Sequence, residues 1–447
     1  QADPETIGLQ HVMLVEPLEL EVLATVAPAR DTCVIADLLM ERRGFRHFLR
    51  TEQPDVVCVT GYITNVPAML EYCRQTKRFD ERIATVVGGV HCEVCPEDLD
   101  DPAVDFRVVR NAAVIFPRLL EHIRGGEERP EGVFGPGEAV DRAALPDFVW
   151  TVPIPDRRLT ARHRSGYFYI FHDKVALLKS SFGCPYQCNF CFCREITGHR
   201  FHVRPQAEVI REIAGIAERN IYIVDDDFLT SRARVRDFVD ANRTYALNKR
   251  YLLYGRADFI AHNPDLIEQF RDVGLNTVIV GFESFDDAEL KTMDKGIDAE
   301  TNAEAMRILK RLGIDCYATI ILQPHWGRED FALLGRKLRE LNVSYVNLQP
   351  LTPLPGTGVT VPDEDLVIPR DDFVRWDLAH VTVRPTQLTV PEYYQAIMDG
   401  YTSTLYQVGP LLSYLKYPPR MLYKMISGNM KVFRQYEHKR EEARRGA

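Results

Sequence analysis

Short apolar runs alternate with segments of helical periodicity over the first part of the chain. The runs lie at residues 11–17, 32–37, 55–60, 84–88 and 106–110, with helical stretches such as 67–76 and 113–124 between them. Strands that alternate with helices predict a parallel, doubly wound sheet, whose ligands bind beyond the carboxyl ends of the strands. We therefore predict a Rossmann-like α/β domain over residues 1–135.

The same alternation returns in the second half of the chain. Apolar runs lie at 175–181, 221–227, 251–257, 277–284, 315–322 and 345–351, and helical stretches lie at 205–219, 231–247, 264–273, 299–312 and 328–341. Six strand–helix repeats are fewer than the eight of a complete TIM barrel. We therefore predict a partial, open (β/α)6 barrel of TIM type over residues 175–360.

Neither the apolar strand pattern nor the helical periodicity persists in the segment that joins these two regions. Residues 136–174 contain frequent proline and arginine and predict an ordered connector. Residues 361–447 show a helical pattern rich in tyrosine and basic residues, and they predict a helical C-terminal domain. From residue 411 onward there are nine Lys or Arg against three Glu. This segment is either a helical cap with a solvated basic tail or an amphipathic surface that contacts anionic lipid at the membrane periphery.

Composition narrows the class of protein. The chain has 447 residues, 45% of them hydrophobic, and a net charge of −9, which favours a globular protein that does not bind nucleic acid. No run of 18 apolar residues appears, so we expect no transmembrane helix. Four of the ten cysteines lie between residues 184 and 193, and most others lie in apolar runs. This distribution favours metal or redox chemistry in a reduced, cytoplasmic compartment over a disulfide framework.

The cysteine group is the strongest chemical signal in the sequence. Cys184, Cys188 and Cys191 form a C-x3-C-x2-C loop directly after an apolar strand. Three thiolates at this spacing can bind three irons of one [4Fe–4S] cluster and leave the fourth iron free for S-adenosylmethionine (SAM). Zinc is the competing ligand, but zinc sites usually pair two C-x2-C units or add histidine. Cys193 follows Cys191 too closely to bind the same metal ion, and we expect it not to be a ligand.

The loop and the repeats that follow it resemble the radical SAM superfamily over about residues 175–360. The resemblance implies that Phe190 lies near the adenine of SAM. It also implies that the run of acidic residues at the end of the second barrel strand, with Asp225 and Asp226, meets the SAM amino group. Arg256 and Glu283 end the next two strands and should lie near the ribose or carboxylate of SAM, with structural ion pairing as the alternative for each.

Two turns of the first domain resemble the cobalamin-binding subclass of these enzymes. They are T-G-Y-I-T-N-V-P at 60–67 and V-V-G-G-V-H at 86–91. The glycines allow the backbone to approach a bulky corrin or its nucleotide tail closely. The residues that the resemblance assigns to cobalamin are Thr60, Gly61, Tyr62, Gly88, Gly89, Val90 and His91.

The first domain departs from many cobalamin domains in two places. The D-x-H-x-x-G motif, whose histidine binds cobalt, does not follow residues 32–37. The turn after residues 106–109 reads R-N-A-A where an acidic and glycine-rich turn is usual. By position alone, Tyr62 and Met40 are candidates for the lower face of cobalt.

Longer stretches, including F-H-V-R-P, I-I-L-Q-P-H-W-G-R-E-D-F and W-D-L-A-H-V-T-V-R-P-T-Q-L-T-V-P-E-Y-Y, resemble the hopanoid C-3 methylase group. The resemblance implies an enzyme that transfers a methyl group from methylcobalamin to an unactivated carbon by means of a 5′-deoxyadenosyl radical. The alternatives are a cobalamin-dependent cyclase or rearrangement enzyme without net methyl transfer, and a sensor without catalysis. The implied partners are a hydrophobic or polycyclic small molecule and an electron donor such as flavodoxin or ferredoxin. No catalytic residue is assigned by the sequence.

Overall fold

The computed structural model describes residues 6–7, 12–405 and 417–446. The first region contains, in chain order, β1 (Met13–Leu14), α1 (Leu18–Val26), α2 (Phe45–Glu52), β2 (Val56–Thr60), α3 (Val66–Phe79), β3 (Ala84–Gly88), α4 (Val90–Val94), β4 (Phe106–Val108), α5 (Ala112–Ile123) and β5 (Val133–Phe134). Strands β2, β3 and β4 are parallel, and β5 adds an antiparallel edge. The consecutive side chains of Val86 and Val87 are both buried, so both faces of the sheet are covered.

Two of the predicted strands do not join this sheet. Residues 13–14 pair instead with Phe168 and Tyr169, on the barrel side of the molecule. Residues 32–37 are extended, but they belong to no strand. Arg162 donates a hydrogen bond of 2.7 Å to the carbonyl of Ile35 there, so a side chain satisfies a group that a neighbouring strand would otherwise bind. Apolar residues alone could not distinguish this packing from a sheet strand.

The connector is attached to the barrel by ion pairs with buried glutamates. Its two short strands, β6 (Phe168–Tyr169) and β7 (His172–Asp173), form a small antiparallel sheet with β1. Arg164 pairs with buried Glu16 and with Glu218, and Arg157 pairs with Glu212 at 2.9 Å. These pairs connect the chain before α1, the connector and the first barrel helix.

The barrel is an open sheet of six parallel strands. Its elements in chain order are β8 (Val175–Leu178), β9 (Ser181–Phe182), α6 (Cys193–Ile196), β10 (His202–Val203), α7 (Gln206–Gly215), β11 (Asn220–Ile223), α8 (Arg232–Tyr245), β12 (Arg250–Gly255), α9 (Ala257–His262), α10 (Pro264–Asp272), β13 (Leu275–Glu283), α11 (Asp287–Thr292), α12 (Ala299–Arg311), β14 (Asp315–Leu322), α13 (Arg328–Glu340) and β15 (Tyr345–Pro350). The order β8-β11-β12-β13-β14-β15 follows the chain. Strands β9 and β10 form a separate two-stranded antiparallel sheet. This arrangement confirms the partial (β/α)6 barrel.

Alternation along each strand separates two apolar layers. Ile221 and Ile223 face the outer helices, whereas Tyr222 between them faces the barrel interior. Rings of Tyr222, Tyr317 and Tyr345 fill that interior toward the amino-terminal ends of the strands. The space near the carboxyl ends is therefore the part of the barrel left for ligands.

The C-terminal region contributes two helices within the described residues. It contains α14 (Val390–Leu405) and α15 (Pro419–Gly446), and residues 361–389 form mainly irregular structure with two short 3₁₀ turns. Tyr393, Tyr394 and Tyr401 are engaged in packing or hydrogen bonds within this region. Tyr406 and Tyr414 lie outside the described residues. None of the helices in the described ranges is long and apolar enough to cross a membrane.

Candidate active site

The C-x3-C-x2-C loop lies beyond the carboxyl end of β8, at the open mouth of the barrel. Gly183 begins the loop with a φ of +74°, and a Cβ there would lie 2.1 Å from the carbonyl oxygen of Arg200. Only glycine fits that turn. Farther along, Asn189 donates a hydrogen bond of 2.8 Å to Thr292 and accepts one of 2.7 Å from the backbone of Gly358. The loop is thus fixed at its start and at its middle.

The thiols of this loop have surroundings suited to an iron–sulfur cluster. Cys184, Cys188 and Cys191 are all free and partly buried. Burial raises the pKa of the Cys184 thiol to about 12, and burial also raises that of Cys188, against the opposing effect of Lys295 and Arg256. The Arg256 guanidinium lies 3.7 Å from the Cys188 sulfur. Soft thiol donors beside fixed positive charge fit a bound, negatively charged cluster.

Cys193 begins α6 and contacts this group. Its thiol hydrogen-bonds the Cys191 sulfur, which lowers the pKa of Cys191 and raises that of Cys193. The fold therefore places Cys193 next to the loop. That Cys193 does not bind the cluster stays a prediction.

The three acidic residues that follow β11 lie in different environments. Asp225 is buried and accepts hydrogen bonds from Ser180 and Ser181, and it pairs with Arg234 at 2.5 Å. Its two oxygens thus already have several donors. Asp226 is partly exposed and lies 3.4 Å from Lys179. The sequence assigned both of these residues to SAM, and the structure gives Asp225 a structural role at the strand end.

Asp227 is the acidic residue of this run that the sequence analysis did not select. It is buried, one oxygen accepts from the backbone of Leu229 at 2.9 Å, and the other has no hydrogen-bond partner among the described residues. Burial raises its pKa to about 7, while Arg256 opposes that rise. A buried carboxylate oxygen without a protein partner is free to accept a hydrogen bond from a ligand. The signal was present in the sequence, because Asp227 lies in the same acidic run.

Arg256 and Glu283 end two adjacent strands and belong to one polar group. Arg256 is paired with Asp258 at 3.1 Å and stacks on the Tyr186 ring, 3.8 Å from its centroid. Glu283 has a φ of +62° and pairs with buried Lys295 at 3.1 Å. A residue held in that conformation at a strand end is typical of a functional site.

Lys295 is a second residue that the sequence analysis missed. Its ammonium lies 5.7 Å from the centroid of the Phe190 ring, so it connects the predicted adenine neighbour with Glu283. None of the motifs used in the sequence analysis includes this lysine.

In the first domain, the two predicted cobalamin turns lie side by side. Thr60 and Gly88 are register partners at the ends of β2 and β3. Gly89 has a φ of +96°, and a Cβ there would lie 2.1 Å from the Thr60 hydroxyl oxygen. Gly61 is equally tight, because its Cβ would lie 2.5 Å from that of Asn65. The exposed, side-chain-free surface of Gly89 is a cradle that fits a large planar ligand.

Tyr62 and His91 point in different directions from these turns. Tyr62 is 59% exposed, yet burial within the protein raises its pKa, with Tyr254, Cys193 and Asp226 among the groups that add to the rise. Tyr62 therefore lies on the side of the first domain that meets the barrel. Helix α4 of the first domain contacts α6 there, directly after the cluster loop.

His91 is turned into the protein, away from the exposed side of the two turns. It is buried, lies 2.9 Å from Asp98 and packs against the ring of Phe373. Its backbone donates to the carbonyl of Gly61, which connects the two turns. Met40 packs near Gly166 of the connector, where an added Cβ would lie 2.2 Å from its terminal methyl. Of the two candidates for the lower face of cobalt, Tyr62 is the one that lies toward the barrel, where Tyr254, Cys193 and Asp226 act on its pKa.

Comparison with known proteins agrees with this arrangement. Residues 6–120 match the B12 binding domain and residues 178–338 match the Radical SAM superfamily. Hopanoid C-3 methylase of Methylococcus capsulatus is 28% identical over 391 residues, which cover 85% of this chain and 74% of that protein. An anaerobic magnesium-protoporphyrin IX monomethyl ester cyclase of Synechocystis is 23% identical over 338 residues, covering 71% of this chain and 66% of that protein.

A solved structure shares the whole fold. It is the radical S-adenosylmethionine methyltransferase TsrM from Kitasatospora setae, with cobalamin and a [4Fe-4S] cluster bound. The two structures superpose with a TM-score of 0.66 at 17% identity, covering 97% of each chain. The fold and the cluster loop define a radical SAM enzyme. With its B12-binding domain, the chain is a cobalamin-dependent member of that class, and its cofactors are the [4Fe–4S] cluster, SAM and cobalamin.

Proposed function

We propose that the chain is a C-methyltransferase that methylates an unactivated carbon of a hydrophobic, polycyclic small molecule. The observation that carries the proposal is the contact between the two cofactor domains, where helix α4 of the first domain lies against α6, directly after the cluster loop. When bound, the cluster with SAM supplies a 5′-deoxyadenosyl radical and cobalamin supplies the methyl group. Two cofactor sites next to each other would allow hydrogen removal and methyl delivery at the same carbon.

Residues of the barrel would hold the cluster and SAM. Cys184, Cys188 and Cys191 would bind three irons, and Arg256 would keep positive charge beside them. We propose that Asp227, with its unpartnered buried oxygen, accepts from the SAM amino group in place of Asp225. This assignment follows from the polar partners that Asp225 already has.

Phe190, Lys295 and Glu283 would form the other side of the SAM site. The ring of Phe190 supplies an apolar face for the adenine. The buried Lys295–Glu283 pair offers one donor and one acceptor without leaving either charge unpaired. Asp226, which is partly exposed, would lie at the edge of the site toward Tyr62 of the first domain.

Residues of the first domain would hold cobalamin. Thr60, Gly61, Gly88, Gly89 and Val90 would form the surface against which it lies. Tyr62 would approach the cobalt from the first-domain side, and His91 would act from beneath by holding the two turns together.

The electron donor would reach the cluster from outside the barrel. An open groove of about 940 Å³ lies beside Tyr186 and Gln187 of the cluster loop. A flavodoxin or ferredoxin in the cytoplasm is the partner that we propose for this side.

A cyclase or rearrangement activity without net methylation is the second candidate, and the similarity to the Synechocystis cyclase favours it. Substrate incubation with SAM labelled in its methyl group separates the two, because only methyl transfer places the label in the product.

The proposal is tested by anaerobic reconstitution with iron, sulfide and cobalamin, followed by reduction in the presence of SAM. We expect 5′-deoxyadenosine from the wild-type protein and from a Cys316→Ala control, whose buried cysteine lies in β14. The Cys188→Ala protein should form none and should lose most of its cluster absorbance. Absence of 5′-deoxyadenosine from fully loaded wild-type protein would refute the proposal.

A further inference from the structure

The outer face of α15 carries a stripe of large apolar side chains. Tyr423 is 76% exposed, Ile426 is 61% exposed and Met430 is 53% exposed. Residues three, four and seven positions apart lie on one side of a helix, so these side chains form one continuous surface. An exposed apolar surface of this kind marks an interaction site.

The opposite face of the same helix is fixed to the barrel. Met421 and Met425 are buried, and Met425 belongs to the aromatic layer inside the barrel. The ammonium of Lys424 lies 3.0 Å from the centroid of the Phe168 ring. The apolar stripe is therefore presented by a rigid helix.

Positive charge lies along one side of the stripe. Residues 419–436 include four basic residues and no acidic one, and the first acidic residue after the stripe is Glu437. Arg420, Lys431 and Arg434 are exposed, and the helical period places all three on the same side of the stripe. The combination of a basic face with exposed tyrosine, isoleucine and methionine is typical of a helix that lies in a membrane interface.

The barrel adds to this charge at the same end of the molecule. The first turn of α15 lies near the amino-terminal ends of the strands, because Tyr417 donates to Asp315, the first residue of β14. Exposed basic residues surround these strand ends, and they are Lys174, Arg219, Arg243, Arg250, Lys310 and Arg311. Cations at helix carboxyl ends complement the helix dipole, which explains part of this set. The dipole does not account for the apolar stripe or for exposed Tyr245 nearby.

We propose that this surface, the basic end of the barrel, docks on an anionic phospholipid membrane. It consists of Tyr423, Ile426 and Met430 with the basic residues of α15 and of the strand ends. The basic side chains would be attracted to the lipid headgroups, and the apolar stripe would enter the boundary between headgroups and acyl chains. The cluster loop lies at the opposite end of the barrel, so it stays accessible to an electron donor.

Docking does not depend on the proposed methyl transfer, because it requires neither cluster nor cobalamin. Its test is co-sedimentation of the full chain with vesicles of phosphatidylcholine alone or of phosphatidylcholine with phosphatidylglycerol at about two to one. We expect binding to the anionic vesicles only, and we expect added salt to weaken it. Each basic side chain near such a surface contributes roughly fivefold, so the triple variant Arg420→Gln, Lys431→Gln, Arg434→Gln should bind on the order of a hundredfold more weakly.

A second triple variant tests the stripe. Tyr423→Ser, Ile426→Ser, Met430→Ser should weaken binding by about tenfold or more, since apolar insertion is lost. The matched controls are exposed residues elsewhere, with Phe79→Ser and Leu333→Ser for the stripe and Arg82→Gln, Arg236→Gln, Arg307→Gln for the charge. Controls should bind like the wild type.

Three results would overturn the inference. Wild-type protein that stays in the supernatant with anionic vesicles excludes the membrane as the partner. Equal binding by the stripe variant and the wild type excludes this surface. A wild-type dimer that becomes monomeric in the stripe variant, measured by light scattering, assigns the stripe to a second copy of the chain instead.

Discussion

Substitution of Gly89 by alanine tests whether the side-chain-free cradle of the first domain is required. Gly89 combines a φ of 96° with a ψ of −169°, a region that is accessible essentially only to glycine. A Cβ at this position would lie 2.1 Å from the Thr60 hydroxyl oxygen and 3.3 Å from the Thr60 Cβ. The two turns that the cradle joins would then have to separate.

The loss of unfolding free energy expected for Gly89→Ala has two parts. The backbone conformation alone costs an alanine roughly 1–3 kcal/mol. The close approach to Thr60 adds overpacking of about 1–3 kcal/mol. Thr60→Ala removes the hydroxyl and leaves only the contact with Cβ, so the double variant should recover most of the second part and none of the first. The coupling between the two sites is therefore predicted to be about 1–3 kcal/mol.

The assay is urea unfolding of the cofactor-free protein, combined with a visible-absorbance titration of cobalamin. We expect Gly89→Ala to lower both the unfolding free energy and the cobalamin affinity. Gly44→Ala is the control, because an added Cβ there meets no neighbouring atom and φ is negative. A Gly89→Ala protein whose stability and cobalamin affinity equal those of the wild type would refute the cradle, and the absence of coupling to Thr60 would refute its geometry.

Further predictions concern individual side chains. Asp225→Asn should destabilise the protein by about 3–5 kcal/mol in thermal unfolding, since it leaves Arg234 without its buried partner; Asp226→Asn, at a partly exposed site, should cost far less. Burial raises the pKa of Glu21 from 4.5 to about 8, so the folded state holds the proton more tightly than the unfolded state. Stability should accordingly fall as pH rises from 4.5 to 8, and Glu21→Gln should flatten that fall in unfolding experiments. Cys193→Ala should retain its iron and sulfide content, and loss of the cluster would show that Cys193 is needed to hold it.

Most of the barrel could be predicted from the sequence, because local periodicity and burial agree there. The run at 315–322 coincides with β14, and the helices between the strands were predicted to within a few residues. Each strand is apolar on both faces, as required when helices cover one side and aromatic side chains fill the other. The first domain was predicted less well, since residues 13–14 pair with the connector and residues 32–37 belong to no strand.

Within the site, too, some properties could be predicted from the sequence and others could not. The spacing of Cys184, Cys188 and Cys191 predicts the chemistry of the site without a structure, since few sites require three thiols so close together. The spacing could not show that Asp225 is saturated by donors while the adjacent Asp227 is not. Nor could it show that His91 turns inward to Asp98 while Tyr62 turns toward the barrel.

The sequence by itself determined the class of chemistry, the order of the domains and the glycines that a close approach requires. These properties depend on residues near one another in the chain. Only the tertiary structure decided which charged groups already have partners, which turns lie side by side, and that the exposed stripe of α15 lies at the end of the barrel away from the cluster loop. Those properties depend on contacts between residues far apart in sequence, such as Lys424 with Phe168. Such residues come together only when the whole fold forms.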